Sequence, residues 1–216
     1  MRQILYGVSL ANLFSLICSL SFATVGGAES IHIMGYDKKD QKIYLNRQYH
    51  DQSGRVPQLY YYQLSSKQPD KLIEVKSIYK DKDRNSPRTE QYVAQQLKNI
   101  QSRLIPLQQQ NPKKVTLKLL QQNRSTGEYW QTTHPDGAFQ VKKFEQTYQL
   151  CQHHYQSNIH KSISYLKPEI NISQYWQVSQ HSVRIAVVSY LGLNIESGYP
   201  KEDPIFLTAQ SPRSKC

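Results

Sequence analysis

Apolar residues in this chain recur at every second position, and that period constrains the fold more than any other feature. A period of two places side chains alternately on the two faces of an extended strand. Ile31-His32-Ile33-Met34 opens the pattern, Ile43-Tyr44-Leu45-Asn46-Arg47 repeats it, and Leu59-Tyr60-Tyr61-Tyr62-Gln63-Leu64 returns it. Lys71-Leu72-Ile73-Glu74-Val75 follows, running on towards Tyr79. Between these runs lie Asp37-Lys38-Lys39-Asp40 and His50-Asp51-Gln52-Ser53-Gly54, both rich in turn formers. The reading is an antiparallel meander.

One segment departs from this period. Ser86 suits an N-cap and Pro87 the first helical position. Val93, Leu97, Ile100 and Leu104 then share a helical face, with Gln95, Lys98, Asn99 and Arg103 opposite, until Pro106 ends the run. A helix is predicted over about 87–104. Strands resume with Val115, Leu117 and Leu119, turn at Ser125-Thr126-Gly127 into Glu128-Tyr129-Trp130, and turn again at His134-Pro135-Asp136-Gly137. A long strand from Phe139 towards Cys151 follows, and Tyr175-Trp176-Gln177-Val178 is another candidate. Ile185-Ala186-Val187-Val188 is the most apolar run after the leader and reads as a central strand buried on both faces. Ile205-Phe206-Leu207 reads as a short last strand, whereas 152–173 has no clear period. The expected fold class is α+β, an antiparallel sheet of roughly eight to nine strands with the helix packed on one face. It forms a single domain over 29–209, followed by a polar tail, 210–216.

The first 23 residues follow a different logic. Arg2 is the only charge before Glu29, Ile4–Phe22 is mostly apolar, and Ser21-Phe22-Ala23 offers small residues at the positions an export peptidase reads. A signal peptide, 1–23, is expected, with Gly26-Gly27-Ala28 as a second exit. A retained anchor is the competing reading, weakened by Asn12 and the serines and by the lack of a basic cluster after the span. Lipidation at Cys18 is disfavoured by bulky Leu16 and Ile17. No other stretch is long and apolar enough to span a bilayer. The expected location is periplasmic or extracellular.

Export changes the meaning of the cysteines. Removing Cys18 leaves Cys151 and Cys216, which in an oxidising compartment are expected to pair. The bond would close 66 residues, counting both ends, and tether a tail with nothing apolar to dock. Chain entropy credits such a loop with about 4 kcal/mol. Two free thiols, or a Cys216 bridge between chains, are the alternatives.

Few chemistries have a signature here. There is no Gly-x-Ser-x-Gly elbow, no phosphate-cradling glycine cluster, and no pair of acids whose spacing marks them as a glycosidase couple. Cys151, His153, His154 and His160 are donors of the kind zinc or copper takes, but adjacent His153 and His154 point apart on a strand. A metal protein using 151–160 is therefore an alternative reading, and no cofactor is expected. A hydrolase assembled in space from His134, His153, His154 or His181 with an acid is the other. Cys151 as a nucleophile conflicts with its pairing, and His134 with Asp136 is explained by turn chemistry.

Charge and aromatics point to a surface. The whole chain carries +11; without Arg2 the mature chain carries 26 basic and 16 acidic residues, or +10. Between Lys67 and Lys118 there are 12 basic and 5 acidic residues. An exported chain seldom meets nucleic acid, so another envelope protein or an anionic glycan is the expected partner, although such charge also keeps β-rich proteins soluble. Tyr60, Tyr62, Trp130 and Trp176 are the candidate binding aromatics, while cross-strand packing accounts for the same residues. The expectation is a non-catalytic exported protein acting through a surface.

Overall fold

The computed structural model describes residues 27–51, 55–79, 87–130, 138–178, 181–192 and 198–210. It is mostly antiparallel sheet with one α-helix, broadly α+β. Among the described residues, no helix is long and apolar enough to cross a membrane.

Instead of the one expected sheet there are two, with twelve strands among the described residues. The first is a meander of β1 (Ala28–Asp37), β2 (Lys42–His50), β3 (Gln58–Gln63) and β4 (Leu72–Glu74), in that spatial order. Helix α1 (Pro87–Gln101) follows. The second sheet contains β5 (Gln108–Gln109), β6 (Thr116–Trp130), β7 (Ala138–Gln152), β8 (Tyr155–Ser157), β9 (His160–Tyr165), β10 (Ile170–Gln177), β11 (Val183–Gly192) and β12 (Tyr199–Ala209). Its order is β5-β10-β11-β12-β8-β7-β6, with β9 also paired to β7.

The reason for two sheets lies in the first meander, whose strands are apolar on both faces. Ile31, Ile33, Tyr36, Ile43, Leu45 and Tyr62 pack against Val178, Ile185, Val187 and Phe206 of the second sheet. Met34, Tyr44, Leu59 and Tyr61 face the other way, onto Val93, Leu97, Ile100 and Leu104 of α1 and its extension. A bulge between Ile33 and Gly35 shifts the alternation, so that Ile31, Ile33 and Tyr36 all reach the inter-sheet face despite their mixed parity.

Gly35 is required where the segment after α1 returns. It has φ +145, and a Cβ there would stand 2.8 Å from the Ile105 carbonyl oxygen. Tyr36 and Ile105 exchange both backbone hydrogen bonds at 2.8 Å beside it.

The second sheet is coiled. β10 and β7 are four places apart in the strand order, yet Tyr175 shares a core with Tyr148 and Leu150, and its hydroxyl donates to Gln152 Oε1. β11 is central, and Ile185–Val188 are all fully buried. Ile185 and Val187 face the first sheet, Ala186 and Val188 the interior of the coil. The unpatterned 152–173 stretch resolves into a His153-His154 turn, β8, β9 and the start of β10. β12 is longer than Ile205-Phe206-Leu207, because the polar run before them also pairs with β11.

Candidate functional site

A polar cluster lies where the two sheets meet at β1, β2 and β12. Arg47 continues the Ile43–Leu45 face of β2 towards the second sheet. Its guanidinium donates to Glu29 Oε2 at 2.7 Å and to Asp203 Oδ1 at 3.0 Å. The second Asp203 oxygen accepts from the Tyr190 hydroxyl at 2.6 Å, and Lys201 Nζ stands 3.7 Å from Glu29. Beside them Glu202 accepts from the Ile31 backbone N–H at 2.8 Å and from Ser173 Oγ at 2.9 Å. Gln174 donates to the Ile31 carbonyl at 3.1 Å, so side chains of the second sheet cap the outer edge of β1. Tyr62 donates to the Pro204 carbonyl at 2.9 Å. Pro204 itself has no N–H to offer a ladder, and it lies upstream of the 207–209 stretch of β12 that pairs with β8.

Electrostatics bind this cluster tightly. Burial opposes the Arg47 charge, but Asp203 and Glu29 more than offset it and raise its pKa. Tyr190 is raised first by burial and then by the Asp203 carboxylate, so it remains a protonated donor. Both carboxylates that touch Arg47 accept from it directly, and neither stands as a bare base. The arrangement locks two sheets together.

His160 is the most unusual titratable group nearby. It opens β9 opposite Tyr148 of β7, with the ring centroids 6.1 Å apart. Burial lowers its pKa, while Asp203 and Asp70 act in the opposite direction. Its Nε2, and Oγ of Ser162 two residues on, are buried without hydrogen-bond partners among the described residues. Next along the same face, Ser164 donates to Gln146 Oε1 at 3.1 Å, and Gln146 in turn donates to the Pro168 carbonyl at 2.6 Å. An imidazole with one open nitrogen can relay a proton, but among the described residues no nucleophile is hydrogen-bonded to it.

The residues singled out from the sequence are dispersed. Tyr62 is 2% exposed and stacks obliquely on Phe206 at 5.0 Å, so it is a core residue and not part of a binding surface. Tyr60 and Trp176 are partly buried against the same inter-sheet core, and Trp176 Nε1 donates to Gln174 Oε1 at 3.1 Å. Their burial follows from the second layer, which a one-sheet reading could not anticipate. Trp130 ends β6, and its side chain lies outside the described residues.

His153 and His154 form the exposed β7–β8 turn, His153 with φ +51, and the His154 ring lies 4.4 Å from that of Tyr155. His181 instead meets the Tyr36 hydroxyl through Nε2 at 2.8 Å. His134 and Asp136 lie outside the described residues, as does Cys216. Cys151 is buried, and its sulfur is engaged. Among the described residues, no three His, Cys, Asp or Glu side chains gather as a metal site would need.

Arg47, Glu29, Asp203 and Tyr190 were not singled out from the sequence. The available signal was Arg47 itself, a charge at the third position of an Ile-x-Leu-x-Arg strand face where an apolar residue is expected. A charge on a buried face requires a partner. No family model matches this chain, and no curated protein or solved structure matches it.

Proposed function

We propose that this chain is a single-domain, exported, non-catalytic protein, periplasmic or secreted, that acts through a basic face on an anionic glycan. The observation that carries this reading is the outer face of β6, β7 and β9. Lys118 of β6 stands opposite Gln149 of β7, and Lys161 of β9 opposite Thr147, which is itself opposite Gln121. Asn123 and Ser125 continue the β6 row opposite Glu145 and Lys143 of β7, which pair with each other at 2.6 Å, and Lys118, Gln121, Asn123, Ser125 and Lys161 are all exposed. Alternating amide, hydroxyl and ammonium groups on an extended sheet face suit the hydroxyls and carboxylates or sulfates of a polysaccharide.

The pairing of both Arg47 carboxylates with the guanidinium favours a structural role for that cluster over a hydrolase's acid and base. In this reading the compartment is oxidising, and the buried Cys151 pairs with Cys216. Gln210, the last described residue, donates its N–H to the His154 carbonyl at 2.7 Å, which holds the start of the tail beside the β7–β8 turn.

The test is calorimetric titration of the secreted mature protein with a uronic-acid or sulfated glycan, against a neutral one. Binding to the anionic glycan alone, lost in Lys118→Glu/Lys161→Glu, is expected. No binding to any glycan overturns this reading. Turnover of ester, peptide or glycosidic substrates that disappears on replacing one histidine establishes the hydrolase instead.

A further inference from the structure

β6 is the terminal strand of the eight-stranded sheet, and among the described residues no strand pairs with its outer edge. It is fifteen residues long, and every side chain from Lys118 to Thr126 is exposed, including Leu119 and Leu120. A long open edge of this kind is a template for another strand. The irregularity between Leu119 and Gln121 divides β6, and downstream of it Gln121–Trp130 pairs with β7 without interruption. That run is where a regular ladder can be added on the other side.

The charges in this run select the occupant. Arg124 and Glu128 are its only charged residues. Two copies related by a two-fold axis must cross with the same residue of each strand on the axis, since neighbouring residues turn their hydrogen-bonding groups to opposite edges. With Thr126 on the axis, Arg124 of each copy takes the register position opposite Glu128 of the other. Ser125 then faces Gly127, Asn123 faces Tyr129, and Gln122 faces Trp130. With Arg124 on the axis, two guanidiniums oppose each other, which is unfavourable. With Ser125 or Gly127 on the axis, no charged pair forms.

We propose that β6 pairs antiparallel with β6 of a second copy about an axis through Thr126, joining the two eight-stranded sheets into one. A contact confined to one strand edge buries less than a standard interface, so the dimer is concentration-dependent and not obligate.

Sedimentation of the mature chain over a wide concentration range tests this. A reversible monomer–dimer equilibrium is expected. Arg124→Glu or Glu128→Arg alone places like charges across both pairs and weakens the dimer about tenfold, and the two substitutions together restore it. Because a single substitution could disturb the strand itself, Thr126→Cys provides a second measurement. Under mild oxidation it is expected to give a covalent dimer linked at that position, whereas Asn123→Cys is not. A wild-type chain that stays monomeric at every concentration overturns the proposal. So does a dimer indifferent to the charge swap, or a position-126 thiol that captures a foreign extended peptide but never its own copy.

Discussion

Replacing Gly35 with alanine should cost far more than the loss of one hydrogen suggests. The residue has φ +145, which L side chains rarely adopt, and holding one there costs about 1–3 kcal/mol. The new methyl would also lie 2.8 Å from the Ile105 carbonyl oxygen and 2.9 Å from Leu104 Cβ. Retreat of that segment would stretch the two 2.8 Å hydrogen bonds between Tyr36 and Ile105, each worth about 1 kcal/mol. Together these give about 2–4 kcal/mol, or a fall in Tm of about 5–15 °C for a chain of this size. Gly192→Ala is the matched control. Its nearest atoms are closer still, at 2.6 Å, but they are Cδ and Cγ of the flexible Lys201 side chain, and no left-handed φ is involved. That variant should fall within about 1 kcal/mol of wild type. Urea and thermal unfolding followed by circular dichroism measure both. Equal effects of the two substitutions, or a loss below about 0.5 kcal/mol for Gly35→Ala, would refute the reasoning.

Two further predictions concern the polar seam and its neighbour. Arg47→Ala leaves Asp203 with only the Tyr190 hydroxyl and Glu29 with only Lys201 at 3.7 Å, and should cost about 2–3 kcal/mol; a urea midpoint close to wild type would show that the seam is not a structural lock. His160 is neutral more persistently in the folded chain than in the unfolded one, where its pKa is about 6.5. The unfolded state therefore binds more protons at mildly acidic pH. Its contribution is fully present above about pH 6.5 and is lost as pH falls from there towards the lower folded value. His160→Gln should flatten that part of the stability–pH curve, and superimposable curves for variant and wild type would sink the argument.

Much of the fold could be read from local pattern. Val93, Leu97 and Ile100 share a helical spacing and lie in α1, with Val93 in a buried cluster with Met34, Tyr44 and Leu59. The run Ile185–Val188 has no polar position, and its strand is central and buried on both sides. The errors came where the local pattern was silent about layers. Tyr62 was a candidate for a wet surface because tyrosine suits either place; only the arrival of Phe206 and Pro204 from more than 140 residues away made it core. Lys201-Glu202-Asp203-Pro204 lies outside the short strand expected at Ile205-Phe206-Leu207, since charge and proline normally break strands. In the folded chain Glu29, Arg47, the Ile31 amide and the Tyr62 hydroxyl satisfy these groups, and the strand runs through them.

The chain alone thus determines which segments are extended, where the one helix lies, and which positions of each alternate in polarity, since these follow from side-chain spacing along the backbone. Which face of each strand is dry, which charges become a lock, and which edge is left open depend on contacts between residues far apart in the chain. Only the folding of two sheets against one another decides these, because burial is a property of neighbours in space.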